Sequence, residues 1–380
     1  MKITLKRTPE QVELVKAMAS RNKAVAYEAQ VALAEFIGPV LAEVLNQAPT
    51  VSNLFQSLQF DADDNPSIPL DLYYNISDED YVNVWSQSHA GGLPTNQVLP
   101  TASELKLATY SLDSAVSFDR RYAAKSRMDV VSKTFTRVAQ EILIKQETTS
   151  ATLLMTSVAN ATTNGKAHVQ KNEVAGKFTL ADMNDLLTLA KRINTSWIGG
   201  TPTTRTKGIT DIICSPETTQ DIRAMAYNPI NSQDADGSAP GGTDGLAAPD
   251  QLRMDLYRNA GLPEFYGLSI MEINELGQSQ KFNDLFDTAA GSTTYYLPDG
   301  SSGGLQFDTS DDDFVLGVDR TKDSLIRAVA VDSESGSEFT LIADDQYSIR
   351  QNKIGYFGSI DEGRVVLDNR VLVGKIIDRS

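Results

Sequence analysis

The single cysteine, Cys214, is the residue best suited in this sequence to covalent chemistry. It lies in the stretch DIICSPETTQDIRAM, residues 211–225. Ser215 can cap a helix, Pro216 suits the first helical position, and Glu217 favours the positive end of a helix dipole. A thiol beside a helix N-terminus can have a lowered pKa and act as a nucleophile. The pattern predicts a strand, a Ser-Pro turn and a helix, with Cys214 at their joint.

A cysteine nucleophile needs a base, and the chain offers only two histidines, His89 and His168. The sequence places neither of them beside Cys214. A lone cysteine at the end of a strand is more often a small, buried, apolar residue. We therefore expect Cys214 to serve folding, and a Cys214-dependent enzyme is the alternative from another class.

The sequence contains no spacing of metal ligands or of phosphate-binding glycines. Two histidines and one cysteine do not form a zinc motif. The acidic run at 308–314 lacks the glycine and the distal glutamate of a calcium-binding EF-hand loop. The carboxylates at 78–80 lie in a polar stretch where solvation is expected, and the glycine pairs match neither a Walker loop nor G-x-G-x-x-G. We therefore predict no catalytic residue, no cofactor and no metal.

The composition is that of an ordinary folded chain. Its 380 residues, 41% hydrophobic and 22% charged, are enough for two or three domains. One cysteine forms no intramolecular disulfide, which suits a reducing compartment. The sequence has no apolar segment of signal-peptide length at its start and no run of about 18 apolar residues. We expect a protein that stays in the cytoplasm and spans no membrane.

The net charge of −16 argues against nucleic-acid recognition. Proteins that bind nucleic acid usually carry a basic footprint, because neutralising phosphates supplies much of their affinity. Sequence-specific DNA binding is therefore not expected. A surface that lies near nucleic acid without binding it is compatible with this charge.

The N-terminal part, from residue 8 to about residue 47, has a helical pattern. Thr8 is a predicted cap, Pro9 suits the first turn, and Gly38-Pro39 is predicted to break or bend the helix. Two interpretations are open: an amphipathic helix that packs on its own domain, which is favoured, or an arm that packs on a neighbouring subunit. The apolar side of the pattern includes Val12, Val15, Tyr27 and Val31.

The next part has the pattern of a long β-hairpin. Apolar and polar residues alternate over 67–74 and, less regularly, over 104–112, as in half-exposed strands. The stretch between them is rich in glycine and proline, which indicates an irregular tip. Because an isolated two-stranded ribbon is only marginally stable in water, we expect the hairpin to lean on another element, such as another copy of the chain.

The remaining elements are a long helix, an α/β part and a β-rich end. Residues 118–160 contain neither proline nor glycine and have helical apolar spacing, which predicts a helix several times the average length. A second helix is predicted over 179–193, capped by Thr179, and a glycine-rich loop follows the Cys214 joint at 228–250. The closing residues, from 314 onwards, alternate strand-like runs with turns.

The order of these parts resembles the major capsid proteins of tailed double-stranded DNA bacteriophages, the family with the HK97 fold. The local stretches that carry the resemblance are IICSPETTQDIR, YGLSIMEINE and RVVLDNRVLVGKI. The resemblance covers nearly the whole chain and implies an α+β fold. It divides the chain into an N-terminal arm (1–54), an extended loop or E-loop (55–117), a peripheral domain with a spine helix (118–174 and 316–380) and an axial domain (175–315).

The resemblance implies a structural protein and not an enzyme. Copies would assemble as hexamers and pentamers into the icosahedral head shell of a virion that forms in the host cytoplasm and encloses DNA. A separate scaffolding protein, which Met1 favours, a portal and decoration proteins are the further partners implied. The alternative within the same fold is an encapsulin-type compartment shell.

Contacts between subunits are expected at three places. They are the E-loop tip (His89, Gly91, Gly92, Leu93 and Pro94), the N-terminal arm (Val12, Val15, Tyr27 and Val31) and the glycine-rich axial loop (Gly237, Gly241 and Gly242).

Overall fold

The chain folds into two compact units in a computed structural model. Unit 1 comprises residues 1–68, 104–150 and 325–365, and unit 2 comprises residues 69–103, 151–324 and 366–380. The structure describes residues 8–47, 51–61, 66–69, 104–163, 165–193, 208–225, 264–265, 267–321, 324–331, 337–344 and 352–380.

The described residues include helices that range from one turn to nine turns. They are α1 (Pro9–Ala17), α2 (Lys23–Gln47), α3 (Arg120–Ala124), α4 (Met128–Ala159), α5 (Leu180–Ile193), α6 (Pro216–Met225) and α7 (Lys281–Ala290). Short 3-10 turns lie at Val51–Leu54 and Asn369–Val371. The predicted long helix is present as α4, with 32 residues.

The strands lie in two larger sheets, one in each unit, and in short two-stranded ribbons. They are β1 (Gln56–Asp61), β2 (Ser67–Pro69), β3 (Glu104–Lys106), β4 (Tyr110–Asp119), β5 (Thr162–Thr163), β6 (Lys166–Ala167), β7 (Val169–Lys171), β8 (Asp211–Cys214), β9 (Glu264–Phe265), β10 (Leu268–Glu272), β11 (Thr294–Tyr295), β12 (Leu305–Gln306), β13 (Asp312–Val318), β14 (Leu325–Val331), β15 (Thr340–Asp344), β16 (Lys353–Val366) and β17 (Leu372–Asp378).

The N-terminal helices pack on the core of unit 1. Thr8 caps α1 through its hydroxyl, which accepts a hydrogen bond from the amide of Gln11, and Pro9 is the first helical residue, as predicted. The predicted break at Gly38-Pro39 is wrong, because α2 continues through both residues. Proline removes one backbone hydrogen bond. Ile37 and Leu41, on either side of it, are buried in the core, and their packing stabilises the helix across the proline.

The sheet of unit 1 mixes parallel and antiparallel pairs. Its order is β1-β14-β16-β15, and β4 also pairs with β16. β1 runs parallel to β14, whereas β4 runs antiparallel to β16 over ten pairs, from Lys353 opposite Asp119 to Glu362 opposite Tyr110. β2 and β3, which lie within the two predicted arms of the hairpin, pair with each other in a separate ribbon.

The core of unit 1 lies between this sheet, α1, α2 and the first part of α4. Phe135 of α4 meets the ring of Tyr356 edge-on with a centroid distance of 5.2 Å, and Phe118 stacks on the same tyrosine at 6.4 Å. Val131, Phe135 and Val138 are buried at the spacing that predicted the helix. The apolar stripe of α4 therefore packs against the sheet that carries β16.

A buried ionic cluster centred on Glu362 joins these elements. Its carboxylate accepts hydrogen bonds from Arg327 Nε (2.9 Å), Arg364 Nη2 (3.1 Å), Gln146 Nε2 (3.0 Å) and the hydroxyl of Tyr110 (3.0 Å). Burial, followed by the charge of Glu362, raises the pKa of Tyr110 to about 12. One buried carboxylate thus joins β4, α4, β14 and β16.

The sheet of unit 2 has the order β7-β17-β13-β8-β10-β9. β8 and β10 are parallel, as are β7 and β17, and β13 is antiparallel to both β17 and β8. The fold is therefore mixed α and β, with helices α5, α6 and α7 accompanying this sheet in the same unit. Phe178, Leu186 and Ile222 are buried in the same core as the strand residues Ile212 and Val373.

The C-terminal strand is fixed in unit 2 by buried charges. The ammonium group of Lys375 is fully buried, 3.4 Å from Asp182 and 3.2 Å from Asp185. Arg379, at the end of β17, lies 3.2 Å from Asp221 and 3.2 Å from Asp313. The last residues of the chain are therefore part of the core structure of this unit.

Replacing Glu362 by Gln tests the ionic cluster. The substitution leaves two buried guanidinium groups without their anion, and we expect the free energy of unfolding to fall by about 3 kcal/mol or more. Urea unfolding followed by circular dichroism measures this change. The matched control is Asp361→Asn on the neighbouring exposed side chain, for which a change within about 0.5 kcal/mol is expected. Equal effects of the two substitutions would contradict the role given to Glu362.

Candidate self-association surfaces

The Cys214 joint has the predicted local structure but not the chemistry of a nucleophile. Cys214 ends β8, is fully buried, and lies 3.4 Å from the hydroxyl of Thr219. Burial, with smaller contributions from the negative charges of Asp313 and Glu272, raises the pKa of the thiol to about 12. The protonated thiol therefore dominates at neutral pH, and no reactive thiolate is present.

The residues around the joint form a buried polar cluster. The hydroxyl of Ser215 accepts a hydrogen bond from the amide of Thr218 at 3.1 Å, which is the predicted helix cap. Asp313 accepts hydrogen bonds from the hydroxyls of Ser215 and Thr218 and from Arg379 Nη2, the last two at 2.8 and 3.2 Å. The two hydroxyls and the guanidinium group therefore make their hydrogen bonds inside the protein. The cluster therefore ties β8, α6 and β13 to the C-terminus.

The two histidines considered as bases for Cys214 do not form a site either. One is buried and hydrogen-bonded within the fold, and the other lies outside the described residues. His168 is buried, 2.8 Å from the hydroxyl of Thr163, and its Nδ1 donates to the carbonyl of Leu372 at 3.0 Å. Burial lowers the pKa of His168, so the neutral ring is favoured. His89 falls outside the described ranges. Within those ranges, no group of three histidine, cysteine or acidic residues could hold a metal ion.

The predicted contact residues of the arm differ in their exposure. Val15 is fully buried in the core of unit 1, Val12 and Val31 are half-buried, and Tyr27 is 45% exposed. Of these four, Tyr27 is thus the side chain most available to a neighbour. The predicted contacts at His89, Gly91, Gly92, Leu93, Pro94, Gly237, Gly241 and Gly242 lie outside the described residues.

Helix α2 has two apolar faces, and only one of them packs within unit 1. The inner face includes Leu33, Ile37 and Leu41, all buried. Beside this face, Val25, Phe36 and Val40 are 42%, 53% and 39% exposed. At 3.6 residues per turn these three lie within about 60° of one another around the helix axis. We call this exposed apolar strip, which borders the inner face, the α2 ridge.

The two faces make α2 unusually apolar. By length and composition Lys23–Leu45 could cross a membrane, with a mean hydropathy of 1.3. No such segment was expected from the sequence, because that expectation considered only an unbroken run of apolar residues. Glu28 and Glu35 interrupt that run, but the mean hydropathy of the helix stays high despite them. The inner face of the same helix, however, is buried in the core of unit 1, to which Phe135 and Tyr356 also belong. The feature that needs explaining is therefore the α2 ridge.

A second exposed apolar group lies on the outer face of the unit 1 sheet. Ile342 of β15 and Phe357 of β16 are directly paired across the strands, and both are exposed. Ala115 of β4 pairs with Phe357 on its other side and extends the row. Cross-strand neighbours of this kind stabilise one another, but the row lacks cover from the rest of the described chain.

Sequence reasoning missed the α2 ridge because it expected Gly38-Pro39 to break or bend the helix. If the helix were broken there, Phe36 and Val40 would belong to different segments and would share no face. A helical projection carried through Pro39 would have shown two apolar faces, and that signal was present in the sequence.

Comparison with known proteins found similar solved structures only. No family model matches the chain, and no curated protein matches it. The chain is similar to the capsid protein of the cyanophage P-SCSP1u, with 12% identity over 88% of this chain and 89% of that one and a TM-score of 0.46. It is also similar to the capsid of an empty GTA particle, with 10% identity, coverage of 87% and 90%, and a TM-score of 0.48.

An encapsulin is among the similar structures as well. The SrpI encapsulin from Synechococcus elongatus shares 11% identity over 86% of this chain and 87% of its own, with a TM-score of 0.42. Because all three TM-scores lie below 0.5, this likeness carries no conclusion about function. The function proposed below rests on the residues of this chain.

The buried thiol predicts a slow reaction with thiol reagents. At pH 8 a pKa of about 12 leaves roughly one thiol in ten thousand ionised, against a quarter for an ordinary cysteine. We expect native protein to react with Ellman's reagent at least about a thousandfold more slowly than urea-unfolded protein. Comparable rates for the two forms would contradict the structure and reopen the Cys214-dependent enzyme.

Asp312 predicts a pH-dependent stability of unit 2. Burial, with repulsion from Asp378 and Asp308, raises the pKa of this carboxyl to about 6. The folded state then favours the protonated form, so stability rises as the pH falls from 7 through 6 and levels off below about 4. We expect Asp312→Asn to raise the free energy of unfolding at pH 7.5 by up to about 3 kcal/mol and to have little effect at pH 4.

Urea unfolding at the two pH values measures this effect. Asp311→Asn, on the adjacent exposed side chain, is the matched control and should change stability by less than about 0.5 kcal/mol at both. An Asp312→Asn effect of the same size at pH 4 and pH 7.5 would contradict the assignment.

Proposed function

We propose that the chain is the major capsid protein of a tailed DNA bacteriophage and that its copies assemble into the shell of the head. The observation that carries this proposal is the α2 ridge, an apolar surface that the chain itself leaves open. Contiguous exposed apolar surface of this kind marks sites of protein association. The resemblance of the sequence to the capsid family indicates which assembly would bury the α2 ridge, namely the shell of a phage head.

Burial of the α2 ridge would supply a substantial part of the association energy. A fully buried Val or Phe side chain contributes about 1.5–3 kcal/mol relative to leaving it exposed. The ridge has three such side chains, each between 39% and 53% exposed, on a helix held in place by its buried inner face. A rigid surface loses little conformational freedom on binding, so more of this energy is available to the contact.

The predicted parts acquire roles in this proposal. Residues 1–54 form the arm and 55–117 the E-loop, both reaching neighbouring subunits. Residues 118–174 and 316–380 form the peripheral domain, with α4 as its spine helix, and 175–315 form the axial domain. The axial loop with Gly237, Gly241 and Gly242 would lie at the symmetry axes of hexamers and pentamers.

The charge of the chain fits a container for DNA. With a net charge of −16, the subunit repels phosphates on average, so packaged DNA would not adhere strongly to the shell. The proposal also includes a scaffolding protein, a portal and decoration proteins as partners, assembly in the host cytoplasm, and residence in the virion. The encapsulin-type compartment is the second candidate. It would use the same self-association and lack DNA.

A substitution at the centre of the α2 ridge tests the proposal. We expect Phe36→Asp to abolish megadalton particles in sedimentation velocity, because it places a charge where apolar surface must be buried. Phe36→Leu is the matched control and should assemble, since it keeps the surface apolar. Thermal unfolding of both subunits should match the wild type, because Phe36 contributes little to the core.

Two results would count against this function. Wild-type protein that stays monomeric, both alone and with its scaffolding partner, would contradict assembly. Particles formed by Phe36→Asp as readily as by wild type would show that the α2 ridge is not a contact.

A further inference from the structure

The charge of the chain is divided unevenly between its two units. Unit 1 has 18 basic and 21 acidic residues and is nearly balanced, whereas unit 2 has 16 basic and 29 acidic residues. Most of the negative charge of the protein therefore belongs to unit 2. Within each unit the excess charge is further concentrated on particular elements.

The concentration of positive charge lies on α3 and the start of α4 in unit 1. Residues 119–137 contain six basic and two acidic residues in a chain with a large acidic excess. Lys133 and Arg137 are four residues apart in α4 and so share one side of that helix. Arg121 lies in α3, and Lys125 is the residue that follows this helix. These four side chains are exposed, and we call them the basic surface.

Three of these cations are unpaired in the part of the chain that the structure describes. Arg121 lies 2.8 Å from Asp119 in an exposed ion pair. Lys125, Lys133 and Arg137 have no ion pair with any described residue. An exposed ion pair such as Arg121–Asp119 is weak and leaves its arginine available. The basic surface is thus open to an anionic partner.

The concentration of negative charge in unit 2 lies on α7 and the turn before β13. Residues 267–319 contain ten acidic residues and one lysine. The residues just before α7 are joined to this turn by a hydrogen bond from the amide of Ser279 to the carbonyl of Thr309 at 2.7 Å and by one from Gln278 Nε2 to the carbonyl of Asp311 at 3.0 Å. Exposed carboxylates on both segments therefore lie on one surface.

These carboxylates repel one another. Burial and then the charges of Asp308 and Asp284 raise the pKa of Asp287, which lies between them. Glu275, Asp284 and Asp311 are exposed on the same surface. We call Glu275, Asp284, Asp287, Asp308 and Asp311 the acidic surface. A set of like charges held together in this way is relieved by an opposing set of cations.

We propose that the basic surface of one copy binds the acidic surface of a neighbouring copy and so sets how copies are oriented in the shell. This inference rests on the proposed function and assigns the charged part of its contact. The occupant is a second copy because every copy presents both surfaces, which have opposite charge and comparable numbers of charged groups. Such a contact is head-to-tail and closes into rings when the rotation between copies allows it.

The charged contact complements the α2 ridge rather than replacing it. Exposed ion pairs add little affinity individually, but they raise association rates and penalise wrong orientations. Their effect is screened by salt, with a Debye length of about 8 Å at physiological ionic strength. We therefore expect assembly to slow as salt is raised, while apolar burial continues to favour the assembled state.

Charge reversal with mixing tests the proposal and separates contacts between copies from contacts within one copy. The first variant is Lys125→Glu with Lys133→Glu and Arg137→Glu, and the second is Glu275→Lys with Asp284→Lys and Asp311→Lys. All six positions are exposed, so both subunits should fold, which thermal unfolding checks. The matched control reverses Glu173 and Asp361, two exposed carboxylates that lie outside both charged surfaces and outside α2.

We expect each variant alone to lose at least nine-tenths of its particles in sedimentation velocity and an equimolar mixture to recover a large part of them. In the mixture, subunits that alternate around a six-membered ring bring opposite charges together at every contact, and a five-membered ring keeps one contact between like variants. The control with Glu173 and Asp361 reversed should assemble as wild type.

Three results would overturn the proposal. If both variants assemble normally, the two surfaces do not meet, although the proposed function survives. If the mixture stays defective, the charges act within one copy or on DNA. A gel-shift assay separates these two cases: binding to DNA that is lost only in the first variant shows that the basic surface acts on DNA. If wild-type subunits do not assemble at all, the proposed function fails first.

Discussion

The structure of unit 1 depends on one buried carboxylate. Glu362 is enclosed by Arg327, Arg364, Gln146 and Tyr110, which come from β14, β16, α4 and β4. A buried ion pair has a large desolvation cost, and displacing one partner leaves a buried charge uncompensated. Moving any one of these elements away from the carboxylate therefore costs free energy, which favours one arrangement of the four. Arg364 also donates to the hydroxyl of Ser52 at 2.8 Å, and this contact fixes the chain just beyond α2.

That arrangement determines which side of α2 is left open. Helix α1 packs in the same core just before α2, and the Arg364–Ser52 contact holds the chain just after it. Between these two points the inner face of α2 lies on the core, and the α2 ridge faces outward. An apolar ridge specifies burial but not orientation, because apolar contact is non-directional. Charge supplies the orientation, since opposed surfaces attract in one alignment and repel in others. Affinity and geometry of the proposed shell thus come from different residues of the chain.

Local sequence signals predicted local structure well. The caps at Thr8, Thr179 and Ser215 and the long helix α4 follow from side-chain hydrogen bonding and apolar spacing within a few turns. Pairing over long distances left no such signal. Glu362 and Tyr110 are separated by 252 residues, and nothing in either neighbourhood indicates the other. Pro39 shows the converse case. Packing in the folded protein outweighs the local tendency of proline to break a helix, and Phe36 and Val40 therefore share one helix face.

The most direct test of the account is an electron cryomicroscopy reconstruction of particles assembled from the full-length chain. The account predicts a closed shell with five-fold and six-fold clusters in which the α2 ridge of each copy is covered by a second copy. A reconstruction in which Val25, Phe36 and Val40 face solvent in every copy would contradict it, as would particles without closed symmetry.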